Sequence, residues 1–364
     1  MENQNRKLSC RCTIIIPTYN RPNCLRRILD YYNKYGKDFN IIVGDSSSRE
    51  NKKINKKTVS LFSNLNIQYL NNYSIKTNLY HKISDALNYV KTEYTVLCAD
   101  DDFITPNGIN KSIDFLEKNP DFIVAQGYYI LFYLKNKNNR KKDFYWTSYS
   151  YNNPITFPEI KSRLAFYLSN YQVLTFYGVR KTKHLKEFLK EVIKFTDGYV
   201  FSEMLVTNLS VIYGKIKCLD ILYGARGIEE DTWIIRKDLI EFIKEGTYNK
   251  KYVKFRECLL IHISKKSSLD IEESKKLIDD IMSSCMKNFY KTCHSSPRVK
   301  IIKFLNKLGL PWWMQEKIRR FYRDLVFIKN VRMNSFWNLI DNSSSKYYDD
   351  FKKIRDHVLL YPKK

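Results

Sequence analysis

The first 130 residues predict an α/β fold whose sheet is mostly parallel and flanked by helices. Short β-branched runs at 13–16 and 41–43 do not alternate with polar residues, which is typical of strands buried on both faces. Between such runs, apolar residues recur at helical spacing, as at Leu25, Ile28 and Leu29. Strands that alternate with helices need crossover connections, and these produce parallel neighbours.

The elements follow one another with local start and stop signals. Pro17 ends the first strand, Pro22 lies in the first turn of the next helix, and Gly36 ends that helix. Near residue 202 a second well-marked helix begins, and Gly214 closes it. We predict strands at 13–16, 41–43, 66–70, 94–98, 122–125 and 176–180, helices at 81–91, 106–118 and 202–213, and a helical pattern throughout after 233.

Polar groups directly follow three of these strands, at 17–20, 45–48 and 100–102. In a parallel sheet the carboxyl ends of the strands share one edge, and ligands bind there. The third group is the triplet Asp100-Asp101-Asp102, next to a buried strand. Unpaired charge beside a core is costly, so the triplet indicates a divalent cation with oxygen ligands. A solvated Asp-rich turn is the alternative interpretation.

Several classes of protein are excluded or disfavoured by missing motifs. No GxGxxG follows the first strand and no GxxxxGK[ST] occurs, which argues against dinucleotide oxidoreductases and P-loop NTPases. The eight cysteines are scattered without a CxxC pair, so we expect reduced thiols and no zinc site. No apolar run is long enough for a membrane span, and residues 1–12 lack the apolar core of a signal peptide, which predicts a cytoplasmic location.

The net charge of +25 indicates an anionic partner. Nucleic acid, an anionic membrane surface and phosphorylated substrates all fit this charge. We find no basic-aromatic RNA motif and no recognition helix, so nucleic acid is not an expected partner.

Three segments, at 13–21, 41–48 and 97–106, together resemble the family 2 glycosyltransferases. These are inverting enzymes of the GT-A fold that transfer a sugar from a nucleotide-diphosphate donor. The resemblance spans roughly residues 12–228 and departs from the family pattern at four positions. Ser47 replaces the usual glycine after the second strand, and Ser202 stands where the family has the glutamate of a Glu-Asp pair. Ala99 stands at the usual first aspartate of the DxD motif, and Ser46 stands at the second aspartate of a pair after the second strand.

The resemblance implies a donor-binding role for five residues. Pro17 and Tyr19 would line the nucleotide pocket, and Asp45 would accept the N–H of the base. Asp100 would contact the ribose, in place of the acid missing at Ala99. Lys82 matches a basic position that approaches the donor, although an ordinary exposed helix lysine explains it equally well.

The resemblance also implies a metal site and a catalytic base. Asp101 would be the metal ligand, with Asp102 beside it as a further ligand or a support, and Mn²⁺ or Mg²⁺ would neutralise the leaving diphosphate. Inversion requires a base for the acceptor hydroxyl. Glu203 aligns with that base and Asp197 is its rival. An acid at a helix start is also what the helix macrodipole favours, which is the structural explanation of Glu203.

The chain is predicted to consist of a glycosyltransferase domain at 1–230 and a basic helical extension at 231–364. Within the extension, 297–332 carries ten basic and two acidic residues together with Trp312 and Trp313. Such a segment suits peripheral contact with an anionic membrane. Packing of its apolar face on the catalytic domain is the other interpretation.

The function predicted from these observations is metal-dependent transfer of a sugar, with inversion, to a glycan or glycolipid acceptor in surface polysaccharide or glycolipid synthesis. Two alternatives belong to other classes. The missing acid at Ala99 would suit a nucleotide-sugar-binding pseudoenzyme, and the net charge would suit a nucleic-acid binder.

Overall fold

The computed structural model describes residues 10–137, 141–150, 153–169, 173–227, 239–295 and 340–361. Within these residues, nine strands form one sheet. The strands are β1 Cys12–Thr18, β2 Asn40–Asp45, β3 Asn66–Leu70, β4 Tyr94–Leu97, β5 Phe103–Ile104, β6 Phe122–Lys137, β7 Lys141–Ser150, β8 Val179–Lys181 and β9 Lys215–Gly227. Their order is β3-β2-β1-β4-β8-β6-β9-β5, and β7 pairs with β6.

Helices cover both faces of this sheet. They are α1 Pro22–Tyr35, α2 Arg49–Ser60, α3 Leu79–Asn88, α4 Pro106–Lys118, α5 Ile160–Ser169, α6 Thr182–Phe195, α7 Tyr199–Tyr213, α8 Leu239–Lys244, α9 Tyr248–Lys266, α10 Ile271–Ser295 and α11 Tyr348–Leu360. Side-chain caps start three of them: Ser48 caps α2, Asn78 caps α3 and Thr105 caps α4, each accepting a backbone N–H of the first turn.

The predicted α/β fold with a largely parallel sheet is confirmed. β1 runs parallel to β2 and β4, β2 runs parallel to β3, and β6 runs parallel to β9. β8 lies antiparallel between β4 and β6, and β5 and β7 are also antiparallel to their partners. The register aligns Thr18 with Asp45 and Ile15 with Leu97, so the ends of β1, β2 and β4 share one edge.

The hydrophobic core lies in two layers, one on each face of the sheet. Ile15 belongs to the layer formed with α3, α6, α7, α9 and α10, whereas Ile14 and Ile16 belong to the layer formed with α1, α4 and α11. All three side chains are buried. Successive residues of a strand point to opposite faces, so a strand covered on both faces needs an uninterrupted apolar run.

The described C-terminal helices pack onto this core. His357 Nε2 in α11 lies 2.9 Å from the Arg27 carbonyl oxygen, and the hydroxyl of Tyr361, directly after α11, donates to Asp30 at 2.7 Å. The domain boundary at residue 230 stays a prediction, and 297–332 lies outside the described residues. Among the helices that the structure describes, we find none with the length and apolar character needed to cross a membrane.

Candidate functional site

The polar ends of three parallel strands meet at one edge of the sheet. The Thr18 hydroxyl, at the end of β1, donates to Asp100 Oδ2 at 2.5 Å, just beyond β4. The Ser46 N–H, just beyond β2, donates to the Thr18 carbonyl oxygen at 3.2 Å. The convergence predicted from the sequence is therefore present.

Asp45 is the last residue of β2 and lies among polar partners. It is fully buried, and its carboxylate accepts hydrogen bonds from Asn55 Nδ2 at 2.8 Å, the Tyr69 hydroxyl at 2.6 Å and the Ser47 N–H at 2.8 Å. A carboxylate has about four lone-pair sites, so one remains for a ligand N–H. Burial, followed by the hydrogen bond to Asp45, raises the pKa of Tyr69, which keeps this hydroxyl a donor.

Asn20 ties the loop after β1 to the end of β2. Its φ of 52° is left-handed, a conformation that Asn tolerates better than most residues. The Asn20 N–H donates to Ser47 Oγ at 2.8 Å, and Asn20 Oδ1 accepts the Ser48 N–H at 2.8 Å. Pro17 lies within β1, and Tyr19, in the loop, is 44% exposed.

Lys82 is buried inside the site. Its Nζ donates to the Thr18 carbonyl oxygen at 2.9 Å and to Ser46 Oγ at 2.8 Å, and the residue is 4% exposed. A Cβ on Gly44 would lie 3.0 Å from Lys82 Cγ, so the glycine leaves room for this chain. Burial lowers the pKa of Lys82 to about 8, against the opposing effect of Asp100 and Asp45. The interpretation of Lys82 as an exposed helix lysine is wrong.

The three consecutive acids are all buried and contact two arginines. Arg21 contacts Asp100 Oδ1 through one guanidinium nitrogen and Asp101 Oδ2 through the other, the latter at 2.8 Å. Asp102 accepts from Arg226 Nε at 3.2 Å and from the Gly227 N–H at 3.1 Å. The solvated-turn interpretation is wrong, because these residues are at most 5% exposed.

The segment 100–102, called the acid turn below, offers the carboxylate oxygens that a hard divalent cation prefers as ligands. Burial raises the pKa of Asp100 and of Asp102 to about 7; Arg21 opposes this for Asp100, and Arg226 opposes it for Asp102. Such carboxylates gain from a further positive charge, and carboxylate oxygens are preferred ligands of Mg²⁺ and Mn²⁺. Arg21 contacts one oxygen of Asp101 and one oxygen of Asp100, whose other oxygen accepts from Thr18, whereas the end of β9 engages both oxygens of Asp102.

Arg21 and Arg226 are the functional candidates that the sequence analysis did not assign. Arg21 lies inside the 13–21 segment, so a cation next to a predicted acidic site was a usable signal. Arg226 lies 124 positions after Asp102 in the chain, at the end of β9. Only the pairing of β9 with β5 and β6 brings it to the acids, and no local pattern predicts that pairing.

The two candidate bases lie in different surroundings. α7 begins at Tyr199 rather than at 202, after Gly198 with a φ of 107°, so Glu203 lies in the second turn and is 9% exposed. Asp197 precedes the helix, its side chain is 71% exposed, and it pairs with Lys251 Nζ of α9 at 2.5 Å. Because the dipole effect is confined to the first turn, it does not explain Glu203.

α3 links the start of α7 to the sheet edge where the ends of β1, β2 and β4 meet. The Tyr80 hydroxyl donates to the Tyr199 carbonyl oxygen at 2.9 Å. Lys82, two residues along α3, reaches the ends of β1 and β2. The edge thus combines the buried lysine Lys82 with the buried carboxylates of Asp45 and 100–102, and buried Glu203 lies on α7.

Comparison with known proteins finds one family match, in the N-terminal part of the chain. Residues 13–184 match the family model described as "Glycosyl transferase family 2". No curated protein matches the chain.

Three solved structures resemble it. S. aureus TarS 1–349 in complex with UDP-GlcNAc is 13% identical, with a TM-score of 0.48, over 75% of this chain and 72% of that one. TarS 1–349 alone is 14% identical, with a TM-score of 0.46, over 96% and 90%. The mannosyltransferase PcManGT from Pyrobaculum calidifontis, in complex with GDP-Man and Mn²⁺, is 12% identical, with a TM-score of 0.41, over 88% and 87%. Residues 13–184, which are 172 of the 364 residues, are therefore similar to the glycosyl transferase family 2.

Proposed function

We propose that the protein transfers a sugar from a nucleotide-diphosphate donor to an acceptor hydroxyl, with inversion at the anomeric carbon and with dependence on Mn²⁺ or Mg²⁺. The observation that carries this proposal is the meeting of buried Asp45, buried Lys82 and the buried acids Asp100 and Asp101 at one edge. A nucleotide, a diphosphate and a cation need these three kinds of partner.

In this proposal the donor lies across the ends of β1, β2 and β4. Asp45 accepts the N–H of the base with its remaining lone pair, and Pro17 and Tyr19 flank the base. Asp100, held by the Thr18 hydroxyl, receives a ribose hydroxyl. Lys82 offers its ammonium group from the floor of the site, where burial strengthens its attraction to phosphate.

Asp101 is the proposed metal ligand, with Asp100 beside it and Asp102 supporting the turn. When bound, the cation neutralises charge on the departing diphosphate. Arg21 contacts the carboxylate oxygens of Asp100 and Asp101 that would face the cation. Its guanidinium group then turns toward the diphosphate, so that the donor gains a second cationic contact. Arg226 and the Gly227 N–H hold Asp102 in place.

Glu203 is the proposed base, in preference to Asp197. It takes the proton of the acceptor hydroxyl at its carboxylate as the acceptor oxygen bonds to the anomeric carbon and the bond to the diphosphate breaks on the opposite face. Asp197 is less suited, because it is exposed and paired with Lys251.

We further propose a cytoplasmic enzyme of surface polysaccharide or glycolipid synthesis, with a catalytic domain at 1–230 and a basic extension at 231–364. The net charge of +25 supports an anionic acceptor or membrane surface. In this scheme 297–332 provides peripheral membrane contact. Binding of the full chain to anionic vesicles in a flotation assay tests this part, and absence of binding at low salt would contradict it.

A donor panel tests the proposed reaction. We expect one nucleotide-diphosphate sugar with Mn²⁺ to raise the melting temperature and to be turned over, and Asp101→Asn to lose both effects. Asp38→Asn, at an exposed position outside the site, is the matched control and should retain both. Stabilisation by a nucleotide without any turnover would instead favour a pseudoenzyme.

A further inference from the structure

A second cluster of metal-binding side chains lies between α6 and α9, apart from the donor site. It consists of Glu191 on α6 and of Cys258 and His262 on α9, with the three ligand atoms within 4.8 Å of one another. Cys258 and His262 are four residues apart on one helix, so they lie on the same face, one turn apart. Glu191 faces them from the neighbouring helix.

Cys258 and His262 both face one oxygen of Glu191. Cys258 Sγ donates to Glu191 Oε2 at 3.9 Å, a long contact even for a thiol, and His262 Nε2 lies 3.9 Å from the same oxygen. A nitrogen-to-oxygen distance of 3.9 Å is too long for a hydrogen bond. Zinc-to-ligand distances of about 2.0–2.3 Å give a tetrahedron with edges of roughly 3.3–3.8 Å, so a small inward movement would bring the three atoms onto one ion.

His262 provides an independent indication of a ligand. The residue is 6% exposed, and its Nε2 has no hydrogen-bond partner. The other ring nitrogen, Nδ1, lies 2.9 Å from the Tyr213 hydroxyl. With a proton on Nδ1, His262 donates to Tyr213 and directs the lone pair of Nε2 toward Cys258 and Glu191. This is how metal-binding histidines are usually oriented.

We propose that Glu191, Cys258 and His262 bind one Zn²⁺. Sulfur and imidazole ligands favour zinc over Mg²⁺ or Mn²⁺, which prefer all-oxygen sites. Binding replaces the thiol proton of Cys258, which is released to solvent as the sulfur–zinc bond forms. The side chain of Glu191 is 30% exposed and forms the solvent side of the cluster, so a water molecule supplies the fourth ligand.

The proposed ion would join α9 to the family 2 segment. α6 extends from Thr182, inside the segment 13–184, whereas α9 lies beyond residue 230. The expectation of no zinc site rested on the absence of CxxC pairs. Here the cysteine and histidine are separated by three residues in a helix, and the glutamate comes from a position 67 residues before Cys258.

Cobalt substitution tests the site in the full-length protein. After removal of metal by a chelator, we expect Co²⁺ to bind with a sulfur-to-cobalt charge-transfer band and with intense visible bands of tetrahedral geometry, and Zn²⁺ to displace it at one equivalent. Cys258→Ser should lose the charge-transfer band. Cys285→Ser, at another buried cysteine on α10, is the matched control and should keep it.

Two further variants keep the test decisive. Glu191→Gln alters a partly exposed position and should weaken Zn²⁺ binding at least tenfold even if Cys258→Ser fails to fold. Asp101→Asn should leave the cobalt spectrum unchanged, which separates this site from the proposed catalytic one. The proposal is overturned if the folded wild-type chain binds no Zn²⁺ at micromolar concentration, or if the band persists in Cys258→Ser.

Discussion

At the scale of single residues, the site depends on charged groups that the fold removes from water. Lys82, Asp100 and Asp102 are each buried. Burial favours the neutral form of each side chain, so it lowers the pKa of the lysine and raises the pKa of the two acids. These shifts make the stability of the protein depend on pH in opposite directions for the lysine and for the acids. Each direction can be measured.

For Asp100 and Asp102, the folded state binds protons more readily than the unfolded state between pH 3.8 and about 7. Their contribution to stability is therefore lost as pH rises through this window in the absence of metal. Because the proposed cation would bind the ionised carboxylates, we expect the rise in melting temperature caused by Mn²⁺ to be larger at pH 8 than at pH 6. An equal or smaller rise at pH 8 would contradict the shifts.

For Lys82, the pKa falls from 10.5 to about 8 in the folded state. The unfolded state then binds more protons between these values, so the unfavourable contribution of Lys82 is relieved as pH rises from about 8 to 10.5. In urea unfolding, we expect the free energy of unfolding of the wild type, relative to that of Lys82→Met, to rise by up to about 3 kcal/mol across this pH window. The same pH dependence in both proteins would show that Lys82 is not buried as a cation.

Glu203 and Asp197 differ enough in environment to be separated by mutation. We expect Glu203→Gln to lower kcat by about 100-fold to 10,000-fold, because the acceptor hydroxyl loses its base. Asp197→Asn should lower kcat by less than about threefold, since an exposed ion pair contributes little. Donor binding by thermal shift should be the same in both variants. A larger loss of kcat in Asp197→Asn than in Glu203→Gln would indicate that Asp197, not Glu203, is the base.

At the scale of elements, the parallel strands were predictable and the antiparallel ones were less so. The β-branched runs of β1 and β2 report burial on both faces, which is a local property. β6 was predicted only over 122–125 but extends from Phe122 to Lys137. A polar residue followed by glycine, as at Gln126 and Gly127, is typical of a strand end. In the structure Gly127 is needed because β9 passes close to it. The local sequence carries no information about that distant strand.

Gly127 tests that explanation of β6. A Cβ there would lie 2.6 Å from the Ile221 carbonyl oxygen and 2.6 Å from its Cγ1. We expect Gly127→Ala to reduce the free energy of unfolding by about 1–3 kcal/mol, because backbone must move. Gly246→Asn is the control: Gly246 has a φ of 68° with no atom within 4 Å, and Asn tolerates that conformation. Equal stability of Gly127→Ala and wild type would contradict the packing.

At the scale of the whole molecule, the last helix supports the acid turn through one arginine. His357 of α11 contacts the Arg27 carbonyl oxygen at 2.9 Å, and the Arg27 guanidinium group donates to the Asp101 carbonyl oxygen at 3.0 Å. Arg27 is 5% exposed. The C-terminal end of the chain therefore stabilises the turn that carries the proposed metal ligand.

Burial lowers the pKa of His357 below 6.5, against the opposing effects of its contact with Arg27 and of Asp30. The unfolded state binds the proton more readily, so stability falls as pH decreases through 6.5 and below. We expect limited proteolysis within 340–361 to accelerate below pH 6.5, and this acceleration to be weaker in His357→Asn. A rate of proteolysis that does not change with pH would contradict the prediction that protonation of His357 destabilises α11.

Sequence alone predicted the strand-end groups and the acids, because adjacent charges after a buried strand are a local signal. It did not predict which cations balance those acids. Arg226 and the Gly227 N–H reach Asp102 only through the sheet order, and Arg27 is held by a helix 330 residues away. The features that depend on neighbouring residues were therefore predictable, whereas the contacts made between distant parts of the chain were not.

The most direct test of metal-dependent, inverting transfer is the anomeric configuration of the first sugar released from the donor. NMR of wild-type enzyme with an α-linked nucleotide-diphosphate sugar should show the β anomer appearing first, only with Mn²⁺ or Mg²⁺, and not with Asp101→Asn. Release of the α anomer first, or turnover in chelator at the same rate, would contradict the account.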